Sequence, residues 1–255
     1  MLTAGQNAFV VVASMLAAVG VIAILNRLWP IHHRKMVNDV TGWQLGVLGT
    51  TYGVILGFML STVWSDFHSA ELNASLEAAS VLNAYNIGAE LPAPKNEMMR
   101  DLARRYGEVV LHEEWPAMQR SEEPHAGGQI TAKMWQLLQE SKTGPDGVTP
   151  VEDHLMTVMS NLSERRNQRE TQLRTRLPNL LWVLLILGGV ATVFSSCALG
   201  NDSKWLHYCQ VLALTFVVSV TLAAIADLTR PFEGSVAVSP ESFEHVVAAM
   251  QGRVY

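Results

Sequence analysis

Hydrophobic residues are concentrated in four long stretches, which occur as two pairs separated by a polar segment. The first pair covers about residues 8–25 and 43–64, and the second covers about residues 180–199 and 205–226. Each stretch approaches the length of about 20 residues that a helix needs to cross the hydrocarbon core of a bilayer. Because lipid offers the backbone no hydrogen-bond partner, each stretch is predicted to be a helix. The pattern predicts an all-α polytopic membrane protein with four transmembrane helices.

The polar segment, residues 67–178, is predicted to be a soluble helical bundle inserted between the second and third spans. It carries 28 of the 41 Lys, Arg, Asp and Glu residues of the chain. Apolar residues recur at three- and four-residue spacing, first in a continuation of the second span and then over residues 97–114, 130–139 and 152–176. A break is expected at 143–150. The apolar stripe of the last of these helices becomes basic at Arg166 and Arg169, toward the third span.

With four spans, the polar segment and both chain termini lie on one side of the membrane, and the C-terminal segment 231–255 follows the last span. Basic residues flank the spans on both sides, so the positive-inside rule alone leaves the orientation open. The net charge of −5 comes without a basic stripe, which argues against a nucleic-acid partner. Membrane lipid is the partner that the pattern itself implies.

Catalytic and metal-binding signatures are scarce. The run His112-Glu113-Glu114-Trp115-Pro116 begins like a zinc-peptidase motif, but proline stands where the second histidine is required. We therefore expect Glu113, Glu114 and Trp115 to be structural, with Trp115 packed in the bundle and Pro116 bending or ending the helix. No metal site, no cofactor and no enzyme activity are predicted, and an enzyme built on His112, Glu113 and Glu114 is the least favoured reading.

The second span carries the most informative pattern within the membrane. Its small residues recur nearly every four positions, at Gly46, Gly49, Gly53 and Gly57. Such a face allows the close approach of another helix, and tight packing within one subunit is the simplest interpretation. A stripe formed by Thr50, Val54 and Phe58 is expected on the opposite face, where it could meet lipid, the rest of the bundle or a narrow hydrophobic constriction shared by several subunits.

Three charged residues are expected at membrane surfaces. Asp66 ends the second span, and Asp227 and Arg230 end the fourth with the spacing of an i,i+3 pair. Charged groups at this depth are commonly paired or functional, and a structural salt bridge is the simpler of the two interpretations.

Several motifs resemble a widespread bacterial family of membrane proteins described as bestrophin-like. They are Asn-Asp-Val-Thr-Gly at 38–42, Tyr-Gly-Val-Ile-Leu-Gly-Phe at 52–58, Val-Trp at 63–64, Glu-Glu-Trp-Pro at 113–116, Leu-Pro at 177–178, Arg-Pro-Phe-Glu-Gly at 230–234 and Ser-Pro-Glu-Ser-Phe at 239–243. The resemblance covers nearly the whole chain. A more distant similarity connects it to the bestrophins proper, in which the second transmembrane helix lines a hydrophobic neck.

The resemblance implies a pentameric channel for small inorganic ions in the bacterial inner membrane. The neck positions would then be Thr50, Val54 and Phe58, with two bulky aromatics of the usual neck replaced by smaller residues. The acidic cluster of calcium-gated members is missing after residue 234, so calcium gating is not implied. The resemblance also places residues 67–178 in the cytoplasm.

Two functions therefore compete. The first is a homo-oligomeric ion channel with the second span of each subunit around a central axis. The second is a non-conducting scaffold or sensor whose soluble bundle binds a partner protein, which the size of the bundle would favour.

Overall fold

A computed structural model of the chain describes residues 4–142, 148–234 and 236–252. Within these residues the chain is helical and contains no β-strand, which confirms the predicted fold class. The larger part of the break expected at 143–150 lies outside the described residues. In chain order the helices are α1 (Ala4–Leu28), α2 (Ile31–Met36), α3 (Asn38–Gly88), α4 (Lys95–Val109), a π-helical turn (Val110–Glu114), α5 (Trp115–Gln119), α6 (Ala126–Lys142), α7 (Pro150–Arg174), α8 (Asn179–Ala198), α9 (Lys204–Leu228) and α10 (Glu241–Met250).

Four of these helices, α1, α3, α8 and α9, are long and apolar enough to cross a membrane. Helix α3 is the longest of the described helices, with 51 residues, and the predicted second span, residues 43–64, covers most of its N-terminal half. As the hydrophobic pattern predicted, this helix continues beyond the span. No proline interrupts residues 38–88, so each backbone amide can keep its bond within the helix.

The chain divides into two compact units. The first, which we call the membrane unit, comprises residues 1–65 and 176–229; the second, the polar unit, comprises residues 66–175 and 230–255. The C-terminal residues 231–255 are predicted to form a segment of their own, whereas helix α10 within them lies against α4 and the π-helical turn. Its buried side chains Phe243 and Val247 complete the apolar core of the polar unit.

In the membrane unit, α1, α8 and α9 pack side by side around the buried residues Ala18, Ile22, Cys197 and Val211. Helix α3 reaches this group through Tyr52, whose hydroxyl donates to the carbonyl oxygen of Leu185 at 2.8 Å. The ring of Tyr52 lies directly over two glycines of α8, Gly188 and Gly189. A side chain at either glycine would occupy the space that the ring fills.

The short connections within the two pairs of spans are joined to each other. Asn38 donates to the carbonyl of Gly200 at 2.7 Å and accepts from the Gly200 amide at 2.8 Å. The fully buried Arg34 donates to the carbonyl of Cys197 at 3.1 Å and also to Asn26. Cys197 lies in the last turn of α8, so Arg34 places its positive charge at the negative end of that helix dipole. These bonds fix the first pair of spans to the second.

Replacing Gly188 with Ala should destabilise the membrane unit. The new Cβ would lie 2.6 Å from a Tyr52 ring carbon, and relief of such overpacking in a well-packed interior costs about 1–3 kcal/mol. The control is Gly20→Ala in α1, where the added methyl would have no neighbour within 4 Å. Thermal unfolding of the purified protein in detergent should give a lower midpoint for Gly188→Ala alone. Equal midpoints for the two variants would contradict this packing.

Candidate functional site

The predicted stripe of α3 is exposed in the single chain. Val54 and Phe58 leave 54% and 72% of their surface uncovered, and Thr50 is also exposed. The Thr50 hydroxyl donates to the carbonyl of Gly46 in its own helix at 2.7 Å, so its hydrogen is already used. The stripe therefore presents mainly methyl groups and an aromatic ring.

The stripe points away from the body of the membrane unit. The buried side of α3 is formed by Tyr52, Leu56 and Val63. Successive residues of a helix are turned by about 100°, which places Val54 and its neighbours in the stripe roughly opposite this buried side. A stripe in this position is free to face an axis shared by several subunits.

The four glycines of α3 do not lie opposite the stripe, and this expectation was wrong. Gly53 precedes Val54 and Gly57 precedes Phe58, so each is turned by only about 100° from a stripe residue. The glycine face lies on the flank of the helix, between the stripe and the buried side. An added Cβ at Gly46, Gly49, Gly53 or Gly57 would have no neighbour within 4 Å. Close helix approach within the chain instead uses Gly188 and Gly189, which the sequence analysis did not single out.

A cavity of about 390 Å³ lies between α1, α8 and α9 in the membrane unit. It is lined mainly by apolar side chains, among them Val21, Val190, Phe194 and Val218, and none of its lining residues is charged. An ion would lose its hydration there without gaining a compensating group. The cavity therefore offers no charged binding site for an ion within a single subunit.

The three predicted surface charges have different environments. Asp66 is exposed on α3. Asp227 accepts a hydrogen bond from the Asn7 side chain at 2.9 Å, within the membrane unit. Arg230 lies 3.4 Å from the carboxylate of Glu233, which is buried in the polar unit.

The centre of the polar unit contains a buried network of charges that the sequence analysis missed. Arg169 of α7 is fully buried between two carboxylates. Its Nε lies 2.7 Å from Glu77 Oε2, and its Nη2 lies 3.0 Å from Glu77 Oε1 and 2.9 Å from Glu114 Oε2. Arg166 and Arg169 continue the apolar stripe of α7, and both guanidinium groups are inside the bundle.

Arg166 completes the network from the other side of Glu114. Its two terminal nitrogens each lie 2.9 Å from one Glu114 oxygen, which is the bidentate geometry that a guanidinium favours. The Tyr106 hydroxyl donates to Glu77 Oε1 at 2.5 Å, and the Gly127 amide donates to Glu114 Oε1 at 2.7 Å. Two arginines thus oppose two buried carboxylates, and the tyrosine and backbone donors share two of the oxygens that the arginines bind. Arg166 also pairs with the half-buried Glu170 at 2.8 Å.

The π-helical turn explains how Glu114 enters this network. Pro116 has no amide hydrogen, so it cannot donate to the carbonyl four residues earlier, and the helix widens just before it. Glu114 and Trp115 are then directed inward, while His112 and Glu113 remain exposed. The predicted packing of Trp115 is confirmed, with its ring centre 5.7 Å from that of Phe232 and 5.9 Å from that of Phe243.

In the motif at 112–116, the side chains of His112 and Glu113 are therefore exposed, and those of Glu114 and Trp115 are buried. Within the described residues, no three His, Cys, Asp or Glu side chains are grouped so that they could hold a metal ion.

The network controls the ionisation of its members. Burial alone would raise the pKa of Glu114, but the hydrogen bonds and charges of Arg166 and Arg169 outweigh it and lower that pKa to about 2. Burial and the neighbouring Glu77 raise the pKa of Tyr106, which keeps its hydroxyl protonated and able to donate. Glu114 is therefore ionised at neutral pH, opposite the guanidinium groups of Arg166 and Arg169.

Comparison with known proteins identifies relatives of the whole chain. A family model described as a bestrophin-like domain matches residues 12–243. A zinc-phased crystal structure of a bacterial bestrophin homologue from Klebsiella pneumoniae is similar, with a TM-score of 0.70 and 14% sequence identity, over 97% of this chain and 99% of that chain. A single-substitution variant of that homologue gives the same four values.

A third crystal structure, described as a membrane protein variant, has a TM-score of 0.71 and 13% identity over 97% of this chain and 99% of that chain. At such identities the likeness to these structures concerns the fold alone. No curated protein matches the chain.

Replacing Glu114 with Gln should destabilise the polar unit by about 3 kcal/mol or more, because it leaves the buried Arg166 and Arg169 with one carboxylate fewer. The neighbouring Glu113→Gln is the matched control, since its side chain is exposed and a change of at most about 0.5 kcal/mol is expected. Chemical unfolding followed through tryptophan fluorescence measures both. A similar small effect at the two positions would argue against the network.

The low pKa of Glu114 predicts loss of stability in acid. Because its folded-state pKa of about 2 lies below the usual 4.5, the ionised carboxylate stabilises the fold above about pH 4.5, and this contribution is lost as the pH falls toward 2. The difference corresponds to about 3 kcal/mol. Unfolding measured between pH 7 and pH 2 should show this decline in the natural protein and a shallower one in Glu114→Gln. Parallel pH curves would contradict the assignment.

Proposed function

The chain belongs to the bestrophin-like family, and from this membership we propose that it is a homo-oligomeric ion channel of the bacterial inner membrane. The fold, with its long apolar helices, is that of a membrane protein. The observation that carries the proposal is the apolar stripe of α3, which is exposed and faces away from the rest of its own subunit.

Several copies of the chain arranged around an axis would turn this stripe into the wall of a pore. The proposed path for ions lies between subunits and not in the apolar cavity of a single subunit. The glycine face of α3 lies beside the stripe and is open, which suits the close approach of a neighbouring subunit's helix. A pentamer is the assembly that the family resemblance implies.

Thr50, Val54 and Phe58 would form the narrow part of the pore, with Phe58 the bulkiest of the three. A constriction lined by methyl groups and aromatic rings acts on permeating ions by partial dehydration and by its own wetting. It has no charged ring that would fix the sign of the ion. Small inorganic ions are therefore the proposed cargo, and the polar unit is proposed to lie in the cytoplasm.

No comparable observation supports the two alternative functions, an enzyme and a partner-binding scaffold. His112, Glu113 and Glu114, the candidate catalytic group, are split between the surface and the charge network, and Glu114 is held by two arginines. For a partner-binding scaffold, the discriminating result would be a stable complex formed by a protein that does not conduct.

Purified protein in a planar bilayer should show single-channel currents, and native mass spectrometry should show an oligomer. Phe58→Ala should increase the conductance, because removal of the ring widens an exposed apolar constriction. Leu187→Ala on α8 is the matched control, since it truncates a side chain of similar exposure (61%) and should leave the conductance unchanged. Absence of currents together with a monomeric protein would defeat the proposal, and equal effects of both substitutions would exclude Phe58 from the constriction.

A further inference from the structure

A second pair of arginines in the polar unit converges on one tyrosine. Arg100 and Arg104 of α4 direct terminal nitrogens toward the Tyr85 hydroxyl oxygen, at 2.5 Å and 3.5 Å. Their guanidinium carbons lie 4.5 Å and 5.8 Å from the centre of the Tyr85 ring. Both guanidinium groups therefore lie within reach of the same oxygen atom, close enough together for one anion to bridge them.

This arrangement brings like charges together without an opposing charge. Arginines four residues apart on one helix repel each other. Among the residues that the structure describes, neither Arg100 nor Arg104 forms an ion pair with a carboxylate. Of the acidic residues nearby on α4, Glu108 instead accepts from Gln251 at 3.1 Å, and Glu97 and Asp101 make no ion pair with either arginine.

The site also has more donors than acceptors. The Tyr85 hydroxyl uses its own hydrogen on the carbonyl of Met250, at 3.2 Å, so toward the arginines it can only accept. Each guanidinium carries five N–H donors, of which the tyrosine oxygen takes one from each. The Nε of Arg100 is buried and has no hydrogen-bond partner. A buried donor without a partner is costly, which is a reason to expect an acceptor there.

The pKa of the Tyr85 phenol indicates that negative charge is favoured at this site. Hydrogen bonding from Arg104 lowers the pKa of Tyr85 below its usual value, burial opposes this, and the bond and charge of Arg100 lower it further. An oxygen placed between these arginines is thus favoured when it is negatively charged.

We propose that Arg100 and Arg104, arranged around Tyr85, form a binding site for a tetrahedral oxyanion of the phosphate class. The planar fork of a guanidinium matches two oxygens of such an anion, and two forks on one ring can hold it from two sides. The ligand is either free inorganic phosphate or the phosphoryl group of a small soluble molecule. The site belongs to the polar unit and does not depend on whether the protein conducts ions.

The test is titration calorimetry of the purified full-length protein with inorganic phosphate, at an ionic strength held constant with chloride. Saturable binding is expected, and Arg100→Gln and Arg104→Gln should each weaken it about tenfold or more, the effect of losing a charge-assisted pair of hydrogen bonds. Arg105→Gln is the matched control, because it removes the same charge from an exposed position of the same helix. It should leave the affinity unchanged.

A parallel titration with glycerol phosphate separates the two sources of the ligand. Binding of inorganic phosphate alone assigns the site to the free ion, and tighter binding of the ester assigns it to a phosphoryl group; either result supports the site. No saturable binding of either probe, or equal weakening in Arg105→Gln, would overturn the proposal.

Arg104→Lys keeps the charge and removes the fork, so it should fold even where a glutamine variant fails and should still bind phosphate more weakly than the natural protein. Unchanged affinity in this variant would show that the two forks do not hold the anion.

Discussion

Lipid gives a backbone amide nothing to bond with, and this constraint determines how the four long apolar helices are built. Each keeps its backbone bonds within the helix, and several threonine hydroxyls also bond within their own helix. The hydroxyls of Thr50, Thr192 and Thr215 donate to carbonyls four residues earlier. Tyr52 instead bonds across to the Leu185 carbonyl of another helix. In lipid such a bond has no competing water, which makes Tyr52 a defined point of attachment for α3.

The polar unit has a different constraint. It buries charged groups that water would otherwise solvate, so each of them needs a partner inside the protein. The carboxylates of Glu77 and Glu114 are matched by Arg166 and Arg169, and almost every remaining lone pair has a donor. The net stabilisation of the fold by a network of this kind is small. Its larger effect is that any other packing of the bundle that leaves one of these charges unpaired is costly in free energy. Glu77 belongs to α3, so the same helix is held by Tyr52 in the membrane unit and by a two-hydrogen-bond ion pair with Arg169 in the polar unit.

The sequence allowed the spans and most helices of the polar unit to be predicted, because hydrophobic length and periodicity are local properties. Helix α7, observed at Pro150–Arg174, was expected at 152–176. The charge network could not be predicted in this way, since Glu77 is 92 positions from Arg169 and looks like an ordinary polar residue of a helix. The role of Gly188 was hidden for the same reason, because only the position of Tyr52 in space makes it necessary.

The exposed faces of α3 could be predicted from the sequence almost completely. The glycines and the stripe were identified by their spacing, but their angular relation was misjudged, although a rotation of about 100° per residue is enough to correct it. What the single helix could not reveal was which side is buried. Once Tyr52, Leu56 and Val63 are known to face the body, the stripe must face outward and the glycines must lie on the flank.

The polar unit contains two pairs of converging arginines, and the two pairs have different partners. Arg166 and Arg169, three residues apart on α7, are supplied with two buried carboxylates from distant parts of the chain. Arg100 and Arg104, four residues apart on α4, converge on one phenol oxygen and have no carboxylate partner among the described residues. Arginines that merely had to be soluble would spread apart into water, since their side chains are long and flexible. That Arg100 and Arg104 instead stack on one ring, with a buried nitrogen left unbonded, is the feature that an anion between them would explain.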